Sequence, residues 1–77
     1  MRQTVNDILK SVFDLTDAEV EQNLTRNQIG KWDSLAHMEL VVSLESALKI
    51  TLSIEEIIEL NSLEAVRLLM RNKGVSS

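Results

Sequence analysis

The stretch SLAHMELVVSLESALK, residues 34–49, decides the fold because its apolar side chains recur at the spacing of a helix. It predicts the longest helix of the chain, from about Ser34 to Lys49. At about 100° per residue, its apolar residues fall on two stripes rather than one. The first stripe suits a core and holds Leu40, Val41, Leu44, Ala47 and Leu48. The second stripe holds Leu35, Met38 and Val42 and shares its face with Glu39 and Glu45.

The second stripe has two interpretations. A small helical bundle can bury its central helix from two directions, in which case both stripes belong to the core. Apolar side chains mixed with carboxylates are also common on surfaces that dock another protein. Periodicity alone leaves both interpretations open.

Before this helix, residues 4–15 have the spacing of one helix face and predict a first helix. Thr16 and Glu19 have the form of a capping box, which indicates a short turn of helix. Residues 21–31 are polar and aperiodic and predict a long loop, with Leu24 and Ile29 as anchors onto the core.

After the central helix, Ser53 and Glu56 form another capping box and predict a short helix to about Leu60. Asn61 and Ser62 are both acceptable caps for a last helix that ends before Gly74. The chain has 77 residues, 44% of them hydrophobic, with two glycines and no proline. We therefore predict an all-α fold: one domain, residues 1–77, built as a small bundle of three main helices and one short helix.

The charge balance excludes some classes of partner. Eight basic and twelve acidic residues give a net charge of −4, which disfavours nucleic acid binding and favours basic protein partners. No apolar run approaches the roughly 20 residues of a membrane span. We expect a cytoplasmic monomer that binds neither nucleic acid nor membrane.

Metal and nucleophilic catalysis are disfavoured by the residue types. The chain has no cysteine and one histidine, His37, so no metal site is expected, and any thiol chemistry must use an imported sulfur. A small domain also lacks room for both a core and a deep enzyme cleft. His37 is predicted to be a surface or boundary side chain with no partner to orient it, which makes a serine hydrolase the least favoured class.

Asp33 and Ser34 directly precede the apolar run, and both residue types are favoured helix caps. If Asp33 is the cap, Ser34 becomes the first helical residue and its hydroxyl is free. Backbone N–H groups and the positive end of the helix dipole then favour a phosphate at this position. The pair therefore suits a phosphodiester, although most such pairs are only caps.

Asp33-Ser34-Leu35 and the helix after it resemble the D-S-L motif and second helix of acyl carrier proteins. The resemblance continues through the segment at residues 53–57 and the start of the last helix, and it covers nearly the whole chain. It implies a carrier rather than an enzyme, with a 4′-phosphopantetheine arm from coenzyme A attached to Ser34 and acyl groups held as thioesters.

The resemblance also assigns partners and site residues. Asp33 matches the aspartate that a phosphopantetheinyl transferase recognises, and acyl-loading and acyl-transferring enzymes dock on the second helix. The matching docking residues are Leu35, Met38, Glu39, Val42 and Glu45. Ile57, Leu60 and Val66, with the core stripe, match residues that line an acyl cavity, or are plain core.

The chain departs from typical fatty-acid carriers in having fewer acids around the second helix. The corresponding positions hold Ala36, Ser46, Ala47 and Lys49. This favours a specialised discrete carrier for polyketide, nonribosomal peptide or sugar-acylation chemistry. Trp32, directly before Asp33, either packs the loop onto the bundle or contacts a partner.

Two other classes stay open. An unmodified helical adaptor would use the face of Leu35, Met38 and Val42 to bind a partner and would tolerate replacement of Ser34. A small DNA-binding domain is disfavoured by the charge and by the absence of a basic recognition helix.

Overall fold

The computed structural model describes residues 4–74, and every regular element within them is helical. The elements are α1 (Val5–Phe13), α2 (Asp17–Glu21), a short 3₁₀ helix (Arg26–Gln28), α3 (Ser34–Leu48), α4 (Ile54–Glu59) and α5 (Leu63–Asn72). The predicted all-α bundle with three main helices is confirmed. The segment expected to be a loop after α2 contains the additional 3₁₀ helix.

Side-chain caps explain where the helices begin. Thr4, Thr16 and Ser53 each accept the N–H of the residue three positions on, while the acidic side chain of that residue bonds back to the N–H of the cap. The capping boxes predicted at Thr16 and Ser53 are therefore confirmed. Of the two candidate caps for the last helix, Ser62 is the one that accepts a backbone N–H, from Ala65.

The core lies between α1, α3 and α5. Its fully buried side chains are Val5, Ile8, Leu9 and Phe13 from α1, Leu40 and Leu44 from α3, and Leu60, Leu63, Val66 and Met70 from the C-terminal part. Each side chain of this kind contributes roughly 1.5–3 kcal/mol when it is removed from water. The bundle therefore rests on one contiguous apolar cluster.

Ala47 was predicted to lie in the core, and this prediction is wrong because its side chain is exposed. Near its C-terminal end, α3 faces α1 across small side chains, and an open groove separates the two helices there. Ala47 lines this groove together with Ser11, Ser43 and Ser46. Helical periodicity correctly placed Ala47 near the core stripe but did not reveal that the neighbouring helix leaves it uncovered.

The long segment before α3 is attached to the bundle by the apolar anchors predicted for it. Ile29 is buried and Leu24 packs partly buried against the core. Trp32 is only 4% exposed and stacks on Phe13 with ring centroids 4.5 Å apart. Of the two roles considered for Trp32, the structure supports packing of the loop, since a side chain this buried has little surface to offer a partner.

A short backbone pairing ties the same segment to the start of α5. Thr25 and Ser62 form an isolated antiparallel bridge, flanked by hydrogen bonds from Arg26 N to Asn61 O and from Leu63 N to Leu24 O. These bonds satisfy backbone groups that a loop would otherwise leave to solvent. They attach the loop to residues that are far away in the sequence, and local sequence patterns do not predict such a contact.

Acidification is expected to destabilise the fold. Hydrogen bonds to the Thr4 backbone lower the pKa of Asp7, the Lys31 ammonium lowers the pKa of Asp14, and the Ser53 backbone together with Lys73 lowers the pKa of Glu56. A carboxylate whose pKa is lower in the folded than in the unfolded chain stabilises the fold above its unfolded pKa. That stabilisation is lost as the pH falls through the lowered, folded value.

The thermal midpoint, followed by circular dichroism, should therefore fall steadily between about pH 5 and pH 3, where carboxyl groups titrate. Glu56→Gln keeps a residue able to complete the capping box but removes the charge, so this variant should show a shallower pH dependence. A thermal midpoint that stays constant or rises as the pH falls over this range would contradict the stabilising role assigned to these carboxylates.

Candidate functional site

The site begins with the cap of α3. The Asp33 backbone is extended, and its Oδ1 accepts the N–H of Ala36 at 2.8 Å. Asp33 is therefore the cap, and Ser34 is the first residue of the longest helix. The Ser34 side chain is exposed. The arrangement on which the phosphodiester hypothesis depended is present.

The electrostatics at this helix end favour an anion. The first N–H groups of a helix have no intrahelical acceptor, and Asp33 occupies only the one on Ala36, so those of Ser34 and Leu35 remain for a ligand or water. Arg26 adds a positive charge nearby, because its Nε donates to the carbonyl of Trp32 at 3.2 Å, two residues before Ser34. A phosphate on Ser34 would meet donors and a positive field.

His37 was predicted to be a surface or boundary side chain without a partner to orient it, and the structure corrects this prediction. The His37 imidazole is buried, its Nδ1 accepts the indole N–H of Trp32 at 2.9 Å, and its Nε2 lies 2.8 Å from the carbonyl oxygen of Ile57. Because indole is only a donor and a carbonyl is only an acceptor, the neutral tautomer with its proton on Nε2 satisfies both bonds. Both ring nitrogens are engaged, so the imidazole does not serve as a base for Ser34.

The Trp32–His37–Ile57 network joins three parts of the fold around the serine. Trp32 belongs to the loop, His37 to the first turns of α3, and Ile57 to the last turn of α4, where its carbonyl also accepts the N–H of Leu60. The network therefore fixes the N-terminal end of α3, and with it Ser34, against both neighbours.

The second stripe of α3 faces solvent. Leu35, Met38 and Val42 are 71%, 50% and 60% exposed. They line a shallow depression of about 430 Å³ together with Glu39 and Ser43. The interpretation of α3 as a helix packed on two sides is therefore wrong, and the second stripe forms an apolar patch that is open to solvent.

Glu45 is placed differently from the other predicted docking residues. Its side chain is partly buried, and Oε2 accepts the backbone N–H of Leu52 at 2.9 Å. The carboxylate thus holds the turn between α3 and α4, which follows Lys49 in the left-handed conformation. The structure brings four of the five predicted residues to one depression and gives Glu45 an internal hydrogen bond.

Two exposed isoleucines were not singled out from the sequence. Ile54 and Ile58 point outward from α4, whereas Ile57 is partly buried against the core. The spacing of Ile54 and Ile58 places them on one helix face, but six residues are too few to show which face is covered. They add exposed apolar surface to α4, the helix whose Ile57 carbonyl is hydrogen-bonded to His37.

Two further features are absent from the part of the chain that the structure describes. Across residues 4–74, no group of three or more His, Cys, Asp or Glu side chains is placed to hold a metal ion. Nor does any helix in that range have the length and apolar character needed to cross a membrane.

Comparison with known families gives a match that covers most of the chain. The family model described as a phosphopantetheine attachment site matches residues 3–69, which includes the loop, all of α3 and the start of α5. Searches among curated proteins and among solved structures found no significant match. The chain therefore belongs to the phosphopantetheine attachment-site family of carrier proteins, whose prosthetic group is a covalently bound 4′-phosphopantetheine.

Proposed function

We propose that this chain carries acyl or aminoacyl groups on a phosphopantetheine arm attached to Ser34 Oγ and delivers them to partner enzymes that dock on α3. The observation that carries the assignment to Ser34 is its position: an exposed hydroxyl on the first residue of the longest helix, directly after a capping aspartate. This position lies inside the matched family region. When bound, the arm supplies the thiol that holds the acyl group as a thioester.

The residues around Ser34 fit such a group. In the loading reaction, the Ser34 oxygen forms a bond to the phosphorus of the pantetheine phosphate in coenzyme A, and adenosine bisphosphate leaves as that phosphorus gives up its bridging oxygen. The serine proton passes to a base of the transferase, because His37 is engaged elsewhere. The N–H groups of Ser34 and Leu35 at the start of α3 would hold the phosphodiester by hydrogen bonds. The chain itself has no cysteine, so the thiol comes with the arm.

The proposal is tested by incubating the protein with coenzyme A, magnesium and a broad-specificity phosphopantetheinyl transferase. Intact-protein mass spectrometry should show a gain of one phosphopantetheine, and peptide mapping should place it on Ser34. Modification at another residue would overturn the assignment. No gain with any transferase, in a folded sample, would favour the unmodified adaptor.

Asp33 is proposed to act twice, as the cap of α3 and as a carboxylate that the transferase recognises. Asparagine caps a helix about as well as aspartate, whereas alanine costs about 1 kcal/mol. Asp33→Asn should therefore keep the thermal midpoint but load more slowly, while Asp33→Ala should lose both stability and loading rate. Equal loading rates for Asp33→Asn and the wild type would show that the carboxylate acts only as a cap.

The exposed stripe is proposed to dock the enzymes that load and unload the arm. Met38→Glu should slow acyl transfer by about tenfold, if it removes roughly 1.4 kcal/mol of contact from the centre of the docking surface. The fold should be unchanged because Met38 is half exposed. Leu68→Glu on α5 is a matched control, since Leu68 is equally exposed but lies on another helix. Equal slowing by both variants would contradict a specific docking role for α3.

The pathway is proposed to be a specialised one rather than housekeeping fatty acid synthesis. The positions that carry further acids in fatty-acid carriers hold Ala36, Ser46, Ala47 and Lys49, and Ala36 packs into the core. On the exposed stripe itself, Glu39 supplies the negative charge. The docking face is mainly apolar. It best fits partner enzymes that recognise polyketide, aminoacyl or related groups.

A further inference from the structure

Arg26 lies in the loop before α3, and its guanidinium group is held beside the residue that precedes the helix cap. Its Nε donates to the carbonyl oxygen of Trp32 at 3.2 Å, and Asp33 and Ser34 follow directly in the chain. We propose that Arg26 binds the phosphodiester of the arm on Ser34. The inference rests on attachment of the arm at Ser34, as proposed above.

The backbone of Arg26 is fixed by contacts that are distant from α3. Its N–H donates to the carbonyl of Asn61 at 2.8 Å, next to the bridge that ties the loop to α5, and its own carbonyl accepts the N–H of Ile29 at 3.3 Å. The residue is partly buried, as expected for an arginine whose methylene groups pack while its charged end stays accessible. A side chain held in this way loses little conformational freedom when it binds an anion.

The hydrogen bond to Trp32 uses only a small part of the bonding capacity of Arg26. A guanidinium group has five N–H donors, and this bond engages the one on Nε. Within residues 4–74, neither Nη atom forms a hydrogen bond. A neutral glutamine has its amide nitrogen at the same place along the side chain as Nε and can make the same bond. The contact with Trp32 therefore does not by itself require a charged residue.

The charge of Arg26 is not neutralised by a neighbouring acid. Three lysines in the described part of the chain pair with carboxylates, namely Lys10 with Asp17, Lys31 with Asp14 and Lys73 with Glu56. No carboxylate in that part of the chain forms an ion pair with Arg26. A planar guanidinium group that is oriented but lacks an acidic partner is well suited to bind the oxygen atoms of a phosphate.

Arg26 is close enough to act on a phosphate at Ser34. The Trp32 oxygen belongs to the peptide unit that ends at Asp33 Cα, and one more peptide unit of about 3.8 Å leads to Ser34 Cα. With the hydrogen bond of 3.2 Å, these units place Arg26 Nε at most about 10 Å from Ser34 Cα. Charges on a protein surface interact over about 8–10 Å at ordinary ionic strength. The two Nη atoms extend the reach of the side chain beyond Nε.

The end of α3 needs a positive charge of this kind. The capping carboxylate of Asp33 directly precedes Ser34, and a phosphodiester on Ser34 adds a second negative charge to a chain whose net charge is already −4. The positive end of the helix dipole amounts to only about half an elementary charge. The guanidinium group of Arg26 supplies a full positive charge and thereby offsets the repulsion between Asp33 and the phosphodiester.

The test uses the holo protein after mass spectrometry has shown one phosphopantetheine on Ser34. In the wild type, the NMR signal of the Arg26 Nε–H group should shift between the apo and holo forms. The phosphorus NMR signal of the phosphodiester should shift in Arg26→Gln, which removes the charge but keeps a nitrogen for the Trp32 carbonyl. In Arg26→Lys, which keeps a positive charge, the phosphorus signal should stay closer to that of the wild type.

Arg71→Gln is the matched control, because it makes the same change of residue and charge at the other end of the bundle. Arg71 is exposed near the end of α5, two residues before Lys73, whose ammonium pairs with Glu56 in the first turn of α4. The start of α4 follows the C-terminal end of α3, which lies about 21 Å along the helix axis from Ser34. This variant should leave the phosphorus signal unchanged.

Loading by the transferase provides a second measurement. With the carrier protein as the varied substrate, kcat/KM should be about threefold to fivefold lower for Arg26→Gln than for the wild type, the size expected for one exposed charge contact. The difference should shrink as salt is added, because salt screens the charge. Arg26→Lys and Arg71→Gln should load at nearly the wild-type rate.

The outcomes separate this inference from the proposed function. An unchanged phosphorus signal in Arg26→Gln, or an equal shift in Arg71→Gln, would overturn the inference while leaving the carrier function standing. Equal slowing of loading by Arg26→Gln and Arg26→Lys would also overturn it, because the charge would then not be responsible. Absence of phosphopantetheine from Ser34 in the wild type would overturn the proposed function itself, and the role of Arg26 with it.

Discussion

Replacement of Ser34 by alanine is expected to abolish phosphopantetheine loading completely. The wild type should gain one phosphopantetheine mass in the transferase assay, and Ser34→Ala should gain none. Alanine has no side-chain oxygen that could form the bond to phosphorus. No neighbouring side chain can replace the Ser34 hydroxyl, because none occupies the first position of α3. Acyl transfer by any partner enzyme should be lost together with loading.

The fold should tolerate this change. Ser34 is exposed, Asp33 provides the cap, and alanine is the best helix former, so the circular dichroism spectrum and thermal midpoint should be preserved. Ser43→Ala and Ser46→Ala are controls on the same helix that should load normally. If Ser34→Ala still gains the mass, or a control variant fails to gain it, the attachment site lies elsewhere.

Trp32→Ala is expected to cause the largest loss of stability, about 3–5 kcal/mol. The indole is buried, stacks on Phe13 and donates its N–H to His37, so its removal leaves both a cavity and an imidazole nitrogen without its donor. Small domains have a total stability of about 5–15 kcal/mol. Much of the population should therefore unfold under mild conditions, as measured by urea titration followed by far-ultraviolet circular dichroism.

Conservative variants separate packing from hydrogen bonding. Trp32→Phe keeps a stacked ring but deprives His37 Nδ1 of its donor, which should cost about 1–3 kcal/mol. A double-mutant cycle that combines it with His37→Leu should reveal a coupling of about 0.5–3 kcal/mol. Two results would show that the network does not hold the site together. One is that Trp32→Ala unfolds at the same urea concentration as the wild type, and the other is a double-mutant cycle without coupling.

The position of this network connects stability to function. Trp32 and His37 flank the Asp33-Ser34 pair, and His37 reaches across to the carbonyl of Ile57 in α4. Under the proposed function, variants that loosen the network should slow loading even where the protein remains folded, because the transferase would have to find Ser34 at a defined helix end. Displacement of a reacting group greatly lowers the rate of such reactions.

Local patterns in the sequence were enough to place the helices and the cap in front of Ser34. Capping boxes at Thr16 and Ser53, the Asp33 cap and the apolar spacing of the segments are interactions between residues three or four positions apart, so the sequence contains all that they require. The position of Ser34 as the first helical residue, with its hydroxyl free, also followed from the Asp33 cap, whereas its proposed role as attachment site came from the resemblance to acyl carrier proteins.

The tertiary structure decided which helix faces are covered. Periodicity identified two stripes on α3, but only the placement of α1 and α5 shows that Leu40 is buried while Leu35 is exposed, and that Ala47 lies at an open groove. His37 could not be placed from its own helix, because its partners come from the loop and from α4. Helix formation depends on neighbours in the chain, whereas burial depends on neighbours in space. A single sequence therefore reveals the positions of its helices far more directly than the burial of their faces.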